Sequence, residues 1–99
     1  MERNEKVTIM QHNLLHIRKS LKLSAKEFGE LIGVTRQTIN NIEYGRNKLT
    51  ITQYLAIMYV LDNEIFPNLS EDETQIIHKL LECKVTEQNY INSLRFEEL

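Results

Sequence analysis

Residues 33–45 of the chain read GVTRQTINNIEYG, a segment bounded by two glycines. At about 100° per residue, a helix over 35–44 carries one continuous polar face formed by Arg36, Gln37, Asn40, Asn41 and Tyr44. Its opposite arc holds Thr35, Thr38, Ile39 and Ile42. No carboxylate lies on the polar face, because Glu43 falls at its edge. The stretch predicts an amphipathic helix that presents amides and a guanidinium to a partner.

A second helix is predicted to lead directly into this one. Ser24-Ala25-Lys26-Glu27 is a capping box, in which the serine hydroxyl and the glutamate carboxylate each accept a backbone N–H of the other residue. That helix should end at Gly33, which can adopt the left-handed conformation, and Thr35 caps the next. The link between the two helices is then only Gly33-Val34, which predicts a tight helix-turn-helix corner.

The remaining elements are also predicted to be helical, because the chain has one proline, three glycines and no alternating strand pattern. A first helix is expected over roughly 9–21, a fifth from Ser70 and a sixth over 86–96. The fourth helix, capped by Thr50, is predicted to pack one apolar face against the core. That face consists of Ile51, Tyr54, Leu55, Met58 and Leu61. These patterns indicate an all-α fold.

Charge is distributed unevenly along the chain's 99 residues, although the net charge is only −2. Residues 1–50 hold nine Lys/Arg and five Asp/Glu, whereas residues 51–99 hold three and nine. This asymmetry fits nucleic-acid contact on one side, and it fits a plain protein-interaction module equally well. Cys83 is the single cysteine, which favours a reducing cytoplasm and a small buried side chain. No apolar run approaches the ~20 residues needed to cross a bilayer, and no signal peptide is evident.

Catalytic and metal-binding chemistry find little support in the sequence. His12 and His16 are four residues apart and could face one metal ion, but no glutamate lies between them and no third ligand is nearby. There is no glycine-rich phosphate loop, and a chain of this size has little room for a catalytic pocket. We therefore expect no enzyme, no metal and no cofactor.

The polar face of the helix over 35–44 has the chemistry of a DNA reader. Arginine bonds bidentately to guanine, asparagine and glutamine bond bidentately to adenine, and the major groove admits one helix. An ordinary solvated helix face would hold the same residue types, so this chemistry alone leaves both interpretations open.

Residues 14–61 resemble the helix-turn-helix domain of the Cro and phage-repressor (XRE) family of bacterial DNA-binding proteins. The similarity rests on Arg18, on Leu23-Ser24, on Phe28 and on the string GVTRQTINNIEYGR over 33–46. It implies a five-helix lambda-repressor-like domain over 9–67 with a short helical extension over 68–99. It also implies a homodimer on an operator in double-stranded DNA, and a bacterial or phage origin.

The resemblance assigns roles to individual positions. Base reading would fall to Arg36, Gln37, Asn40 and Asn41. Phosphate contacts would fall to Ser24, Lys26, Thr35, Thr38, Tyr44, Arg46 and Lys48. A structural ion pair would join Arg18 to Glu43. The chain departs from the family pattern at three positions, where Ala25 replaces a phosphate-binding glutamine, Gly29 a small alanine, and Leu49 a proline.

Two functions follow from this resemblance. The first is a transcriptional regulator, expected to be a repressor, that inserts the helix over 35–44 into the major groove as a homodimer. The alternative is an antitoxin-type module whose acidic segment 68–99 binds a partner protein. We expect that segment to serve dimerisation, since its negative charge also keeps it away from DNA.

Overall fold

A computed structural model describes residues 4–86 of the chain, and within them the fold is all-α with five α-helices. They are α1 (Glu5–Ser20), α2 (Ala25–Ile32), α3 (Arg36–Glu43), α4 (Ile51–Val60) and α5 (Glu71–Glu82). A π-helical turn, Leu61–Ile65, and a 3₁₀ turn, Phe66–Asn68, connect α4 to α5. The predicted sixth helix over 86–96 lies almost wholly outside the described residues.

The helix boundaries follow the capping residues of the sequence. Ser24 and Ser70 form the predicted capping boxes, and Thr50 forms a third with Gln53. Gly33 ends α2 with a left-handed φ of 79°. The start of α1 differs from the prediction, because Asn4 caps it by accepting the Lys6 backbone N–H, which places its first turn several residues earlier than 9.

Helix α1 lies at the centre of the core and contacts α3, α4 and α5. Its buried side chains pack with the inward faces of the other helices and with the loop before α4. The fully or almost fully buried apolar residues of this core are Val7, Met10, Leu14, Ile17, Phe28, Ile39, Ile42, Leu49, Ile57, Leu61 and Ile77. One core therefore holds all five helices together.

The predicted inward face of α4 is partly wrong. Tyr54 and Met58 pack against the core and Leu61 is buried, but Ile51 and Leu55 are exposed. The core takes up Ile57 and Val60 instead. The error has a simple cause: α4 carries apolar residues around most of its circumference, so periodicity does not distinguish the buried side from the exposed side.

Helix α5 packs along α1, so the described part of the segment 68–99 belongs to the same core as the helix-turn-helix. Ile77 is fully buried there. The Asn13 carboxamide, also fully buried, donates to the carbonyl oxygens of Leu80 and Cys83, both at 2.7 Å. It accepts the Val85 backbone N–H at 2.9 Å. The Cys83 side chain itself is exposed, contrary to the prediction that it would be buried.

Candidate nucleic-acid interface

The corner between α2 and α3 is unusually close. A Cβ atom added to Gly29 would lie 2.6 Å from the Val34 carbonyl oxygen, a main-chain atom that cannot swing away. The Val34 backbone N–H donates to the Gly29 oxygen at 2.9 Å. Glycine at this position therefore does more than permit the family's usual approach of the two helices, because the corner here leaves no room for alanine's methyl group.

Helix α3 is positioned by its apolar side. Ile39 is fully buried and Ile42 almost so, and both belong to the core beneath α1 and α2. The Thr35 hydroxyl caps the helix by accepting the Thr38 backbone N–H at 3.1 Å. Burial of one side and a fixed N-terminus together decide which side chains of α3 face outward.

The four predicted base readers lie on the side of α3 away from the core. Arg36 and Gln37 are exposed, whereas Asn40 and Asn41 are half-buried. The Gln37 side-chain amide donates to the Asn41 side-chain oxygen at 3.1 Å. This bond orders two of the four readers with respect to each other before any ligand arrives.

The predicted phosphate-contacting residues are found at the N-termini of α2 and α3 and in the loop after α3. All are exposed except the half-buried Thr38, and they are Ser24, Lys26, Thr35, Thr38, Tyr44, Arg46 and Lys48. The Arg46 guanidinium lies over the Tyr44 ring, 5.5 Å from its centroid. Such stacking limits the conformations of the arginine while leaving its donors available.

Capping already occupies some of these polar groups. The Ser24 hydroxyl accepts the Glu27 backbone N–H at 3.0 Å, and Glu27 accepts the Ser24 N–H in return. The Ser24 backbone N–H, and to a smaller extent the Ser24 hydroxyl, lowers the pKa of the Glu27 carboxyl. The Thr35 hydroxyl is shared between its cap and the Thr38 hydroxyl, 3.0 Å away. The Ser24 and Thr35 hydroxyls each keep a lone pair or a proton for a further hydrogen bond.

Arg18 and Glu43 form the ion pair that the resemblance implied. The Arg18 Nε and Nη2 atoms donate to the two Glu43 carboxylate oxygens at 2.7 and 3.2 Å, and Nη1 donates to the Leu23 carbonyl oxygen. The side chains are 13% and 2% exposed. The acid next to the outward face of α3 is thus neutralised and turned inward, so it presents little charge to an anionic ligand.

The loop after α3 is tied to α1 by Gln11, a residue that sequence reasoning missed. The Gln11 amide donates to the carbonyl oxygens of Ile42 and Asn47 at 3.1 and 2.8 Å, and its oxygen accepts the Leu49 backbone N–H at 3.0 Å. A proline at 49 would have no N–H to donate. Leu49 is also 2% exposed, so this departure from the family pattern has two structural uses.

A family model agrees with this geometry. The helix-turn-helix model matches residues 14–63, half of the chain, and spans α2, the corner, α3 and α4. The chain belongs to the helix-turn-helix family. Comparison with curated proteins and with solved structures gave no match.

Membership of this family, of the XRE type, makes the chain a DNA-binding transcription regulator. Its fold is accordingly lambda-repressor-like. Within the described residues, none of the helices combines the length and the apolar character that crossing a bilayer requires.

Within the part of the chain that the structure describes, the histidine pair on α1 does not belong to a larger ligand cluster. The His12 Nε2–H donates to the Val85 carbonyl oxygen at 3.0 Å. His16 is half-buried, and burial lowers its pKa, with smaller contributions from the charges of Lys19 and His12. Across residues 4–86, no group of three His, Cys, Asp or Glu side chains is arranged to hold a metal ion.

Proposed function

We propose that this regulator binds a two-fold-symmetric DNA operator as a homodimer, with α3 of each copy lying in a major groove. The observation that carries the proposal is the outward face of α3. Four side chains able to pair with base edges stand there together, and the neighbouring carboxylate of Glu43 is buried in an ion pair. Such a face suits a polyanion bearing hydrogen-bonding edges.

Two of the four proposed readers have chemically defined targets. Arg36 would bond to O6 and N7 of guanine, and Gln37 to N6 and N7 of adenine. The bond between Gln37 and Asn41 leaves the glutamine oxygen free to accept from adenine while its amide is already oriented. Asn40, one turn along from Arg36, would contact a neighbouring base pair or the edge of the groove.

The surrounding polar residues would position the reader on the backbone. Ser24, Lys26 and Thr35 lie at or beside the N-termini of α2 and α3, where backbone N–H groups also attract phosphate. Thr38 lies in the first turn of α3, and Tyr44, Arg46 and Lys48 extend this set along the following loop. Occupancy of promoter DNA would then repress transcription by excluding polymerase.

The alternative function, binding of a partner protein through 68–99, has less support. Within the described part of that segment, Ile77 is buried and Leu80 and Leu81 pack against the core. A helix that docks on a partner normally offers its apolar face to that partner. Here α5 directs that face toward α1.

Selection of bound sequences from random duplexes at near-physiological salt tests the proposal. We expect enrichment of a palindromic motif whose half-sites are about one helical turn, 10–10.5 base pairs, apart. If binding enriches no motif, the operator hypothesis is wrong and the partner-binding alternative gains.

Two substitutions separate base reading from phosphate contact. Gln37→Ala should weaken binding to the selected motif by about 1–3 kcal/mol per half-site and relax the preference at one base pair. Gln75→Ala, an exposed glutamine on α5, is its matched control and should leave binding unchanged. Arg46→Ala should weaken binding to all sequences alike and reduce the salt slope by about one per half-site.

A further inference from the structure

Helix α4 carries a stripe of large apolar side chains that the core does not cover. Ile51, Leu55 and Tyr59 follow one another at four-residue intervals and therefore lie on one side of the helix. They are 56%, 59% and 65% exposed. We refer to these three residues as the α4 stripe. Water contact along three successive turns is unfavourable, and contiguous patches of this kind mark interaction surfaces.

Charged residues flank the α4 stripe at equal distances along the sequence. No Asp, Glu, Lys, Arg or His occurs from Leu49 to Leu61, whereas the exposed faces of ordinary surface helices are charged. The first charged residue on the N-terminal side is Lys48, and the first on the C-terminal side is Asp62. Both are exposed, and each lies seven residues from Leu55, the centre of the stripe.

We infer that the α4 stripe is the surface through which two copies of this chain associate. In a two-fold-symmetric pair the same surface meets itself, and the two helices run antiparallel when the axis is perpendicular to them. With Leu55 on the axis, Ile51 of one copy meets Tyr59 of the second copy. Lys48 then meets Asp62 of the second copy at both ends of the interface.

This register joins opposite charges at its ends and apolar residues in its middle. A parallel pairing of the same two helices would bring Asp62 against Asp62 of the second copy and Lys48 against Lys48, with like charges close together. Because the charges discriminate between the two orientations, they favour a second copy over an unrelated apolar partner. The inference depends on the proposed function in one respect only, namely that this dimer is the form that binds the operator.

Helix α5 is the weaker candidate for self-association. Its buried residue Ile77 faces α1, and Ile76 is its most exposed large hydrophobic side chain at 36%. Its first turn also contains three acids, so two copies meeting there would repel each other. We therefore place the contact between copies on α4 and not on α5, the described helix of the segment 68–99 in which we expected it from the sequence.

Sedimentation of the full-length chain without DNA tests the location of the interface. The wild type should be a dimer at micromolar concentration, and Leu55→Glu should raise the dimer dissociation constant at least about tenfold, since it places two carboxylates at the axis. Ile76→Glu is the matched control on α5 and should leave the dimer intact. Circular dichroism verifies that both variants are folded. A monomeric wild type, or a Leu55→Glu variant that stays as dimeric as the wild type, overturns the inference.

A charge exchange tests the register. Asp62→Lys should weaken the dimer, because it sets two lysines together at each end, and adding Lys48→Asp should restore it. Failure of the second change to restore association rules out the antiparallel pairing. Because Lys48 is also a proposed phosphate contact, these masses are measured without DNA.

The two proposals fail in different ways. A wild type that is monomeric but enriches a DNA motif refutes the α4 interface and leaves operator binding standing. A dimer that Leu55→Glu dissociates, but that enriches no motif, supports the interface and refutes operator binding.

Discussion

Two segments that follow helices, 44–50 after α3 and 83–86 after α5, are each held against α1 by a carboxamide. Gln11 makes three hydrogen bonds to main-chain atoms near or within the first segment, and Asn13 makes three to main-chain atoms at the second. The bonding is alike, but the surroundings differ. Asn13 is fully buried, whereas Gln11 is half-buried.

The difference in burial decides what each contact contributes. The Asn13 bonds are made by a side chain that water does not reach, so they are costly to lose. Water can replace the Gln11 bonds at the rim. We therefore expect Asn13 to contribute mainly to the stability of the fold, and Gln11 mainly to the order of a loop that holds Arg46 and Lys48.

The largest effect is predicted for Asn13→Ala. It removes three hydrogen bonds at a buried site and leaves two carbonyl oxygens and one N–H without their partner. The free energy of unfolding should fall by about 3 kcal/mol or more, measured by urea denaturation. Asn63→Ala removes an exposed bond to the Tyr59 oxygen and is the control, expected to cost about 0.5 kcal/mol. Equal effects of the two substitutions would remove burial as the explanation.

Gly29→Ala should have the next largest effect and tests the other end of α3. Alanine favours a helix over glycine by about 1 kcal/mol, but its Cβ would lie 2.6 Å from the Val34 oxygen. We expect the clash to prevail and the variant to be less stable by about 1–2 kcal/mol. A rise in the melting temperature would mean that the corner can open without cost. The N-terminal end of α3 would then be no more rigid than the loop after it.

Gln11→Ala should cost about 1 kcal/mol of stability but affect DNA binding more. The loop 44–50 would lose its attachment to α1, so Arg46 and Lys48 would have to be ordered on binding. Fluorescence anisotropy measures the affinity for a selected duplex, and urea denaturation measures the stability. The affinity should fall even under conditions where the variant is fully folded, so the loss of stability cannot account for it. Gln11→Glu keeps the acceptor for the Leu49 N–H but sets a carboxylate oxygen against the Ile42 and Asn47 carbonyl oxygens, so its affinity should be no higher than that of Gln11→Ala. An unchanged affinity for Gln11→Ala would contradict the role assigned to the loop.

The smallest predicted effect is a dependence of the free energy of unfolding on pH, and it arises from His16, a neighbour of Asn13 on α1. By helical spacing His16 lies on the same side of α1 as Asn13, three residues away. Burial holds the pKa of His16 below its ordinary value of 6.5, with Lys19 and His12 adding to the shift. The unfolded chain therefore takes up this proton at a higher pH than the folded one. The contribution of His16 to the free energy of unfolding is therefore fully present above about pH 6.5 and is lost as the pH falls below that value.

Urea denaturation at about pH 7.5 and pH 5.5 measures this decline. His16→Gln cannot take up the proton, so the variant should lose less stability between the two conditions than the wild type. Identical losses would show that His16 does not contribute to the acid sensitivity.

Local sequence signals predicted the fold well where the structure itself is local. Ser24, Ser70 and Thr35 bond to residues three positions away, so their capping roles can be read from a few letters. Gly33 ends α2 because its own backbone adopts the left-handed conformation. The outward face of α3 followed from helical spacing, because one side of that helix is apolar and the other is polar.

Contacts between distant segments could not be predicted in the same way. Gln11 and Leu49 are 38 positions apart, and Asn13 and Val85 are 72 apart, and nothing in their neighbouring residues indicates the partner. The two apolar sides of α4 could not be ranked either, since the choice depends on which side meets α1 and α2. The pair Arg18–Glu43 was predicted only because the family resemblance supplied a long-range contact.

The proposed base readers of α3, Arg36, Gln37, Asn40 and Asn41, are different residues from those that anchor the helix in the core. Within residues 4–86, the hydrogen bond between Gln37 and Asn41 joins two readers to each other, while Ile39, Ile42 and Glu43 make the contacts with the core. In the proposed function, recognition and architecture are therefore carried by different residues of the same short helix. Replacing the four proposed readers together should direct the protein to a new target sequence, while the rest of the molecule folds as before. The DNA specificity of this protein could then be redesigned by changing the outward face of α3 alone.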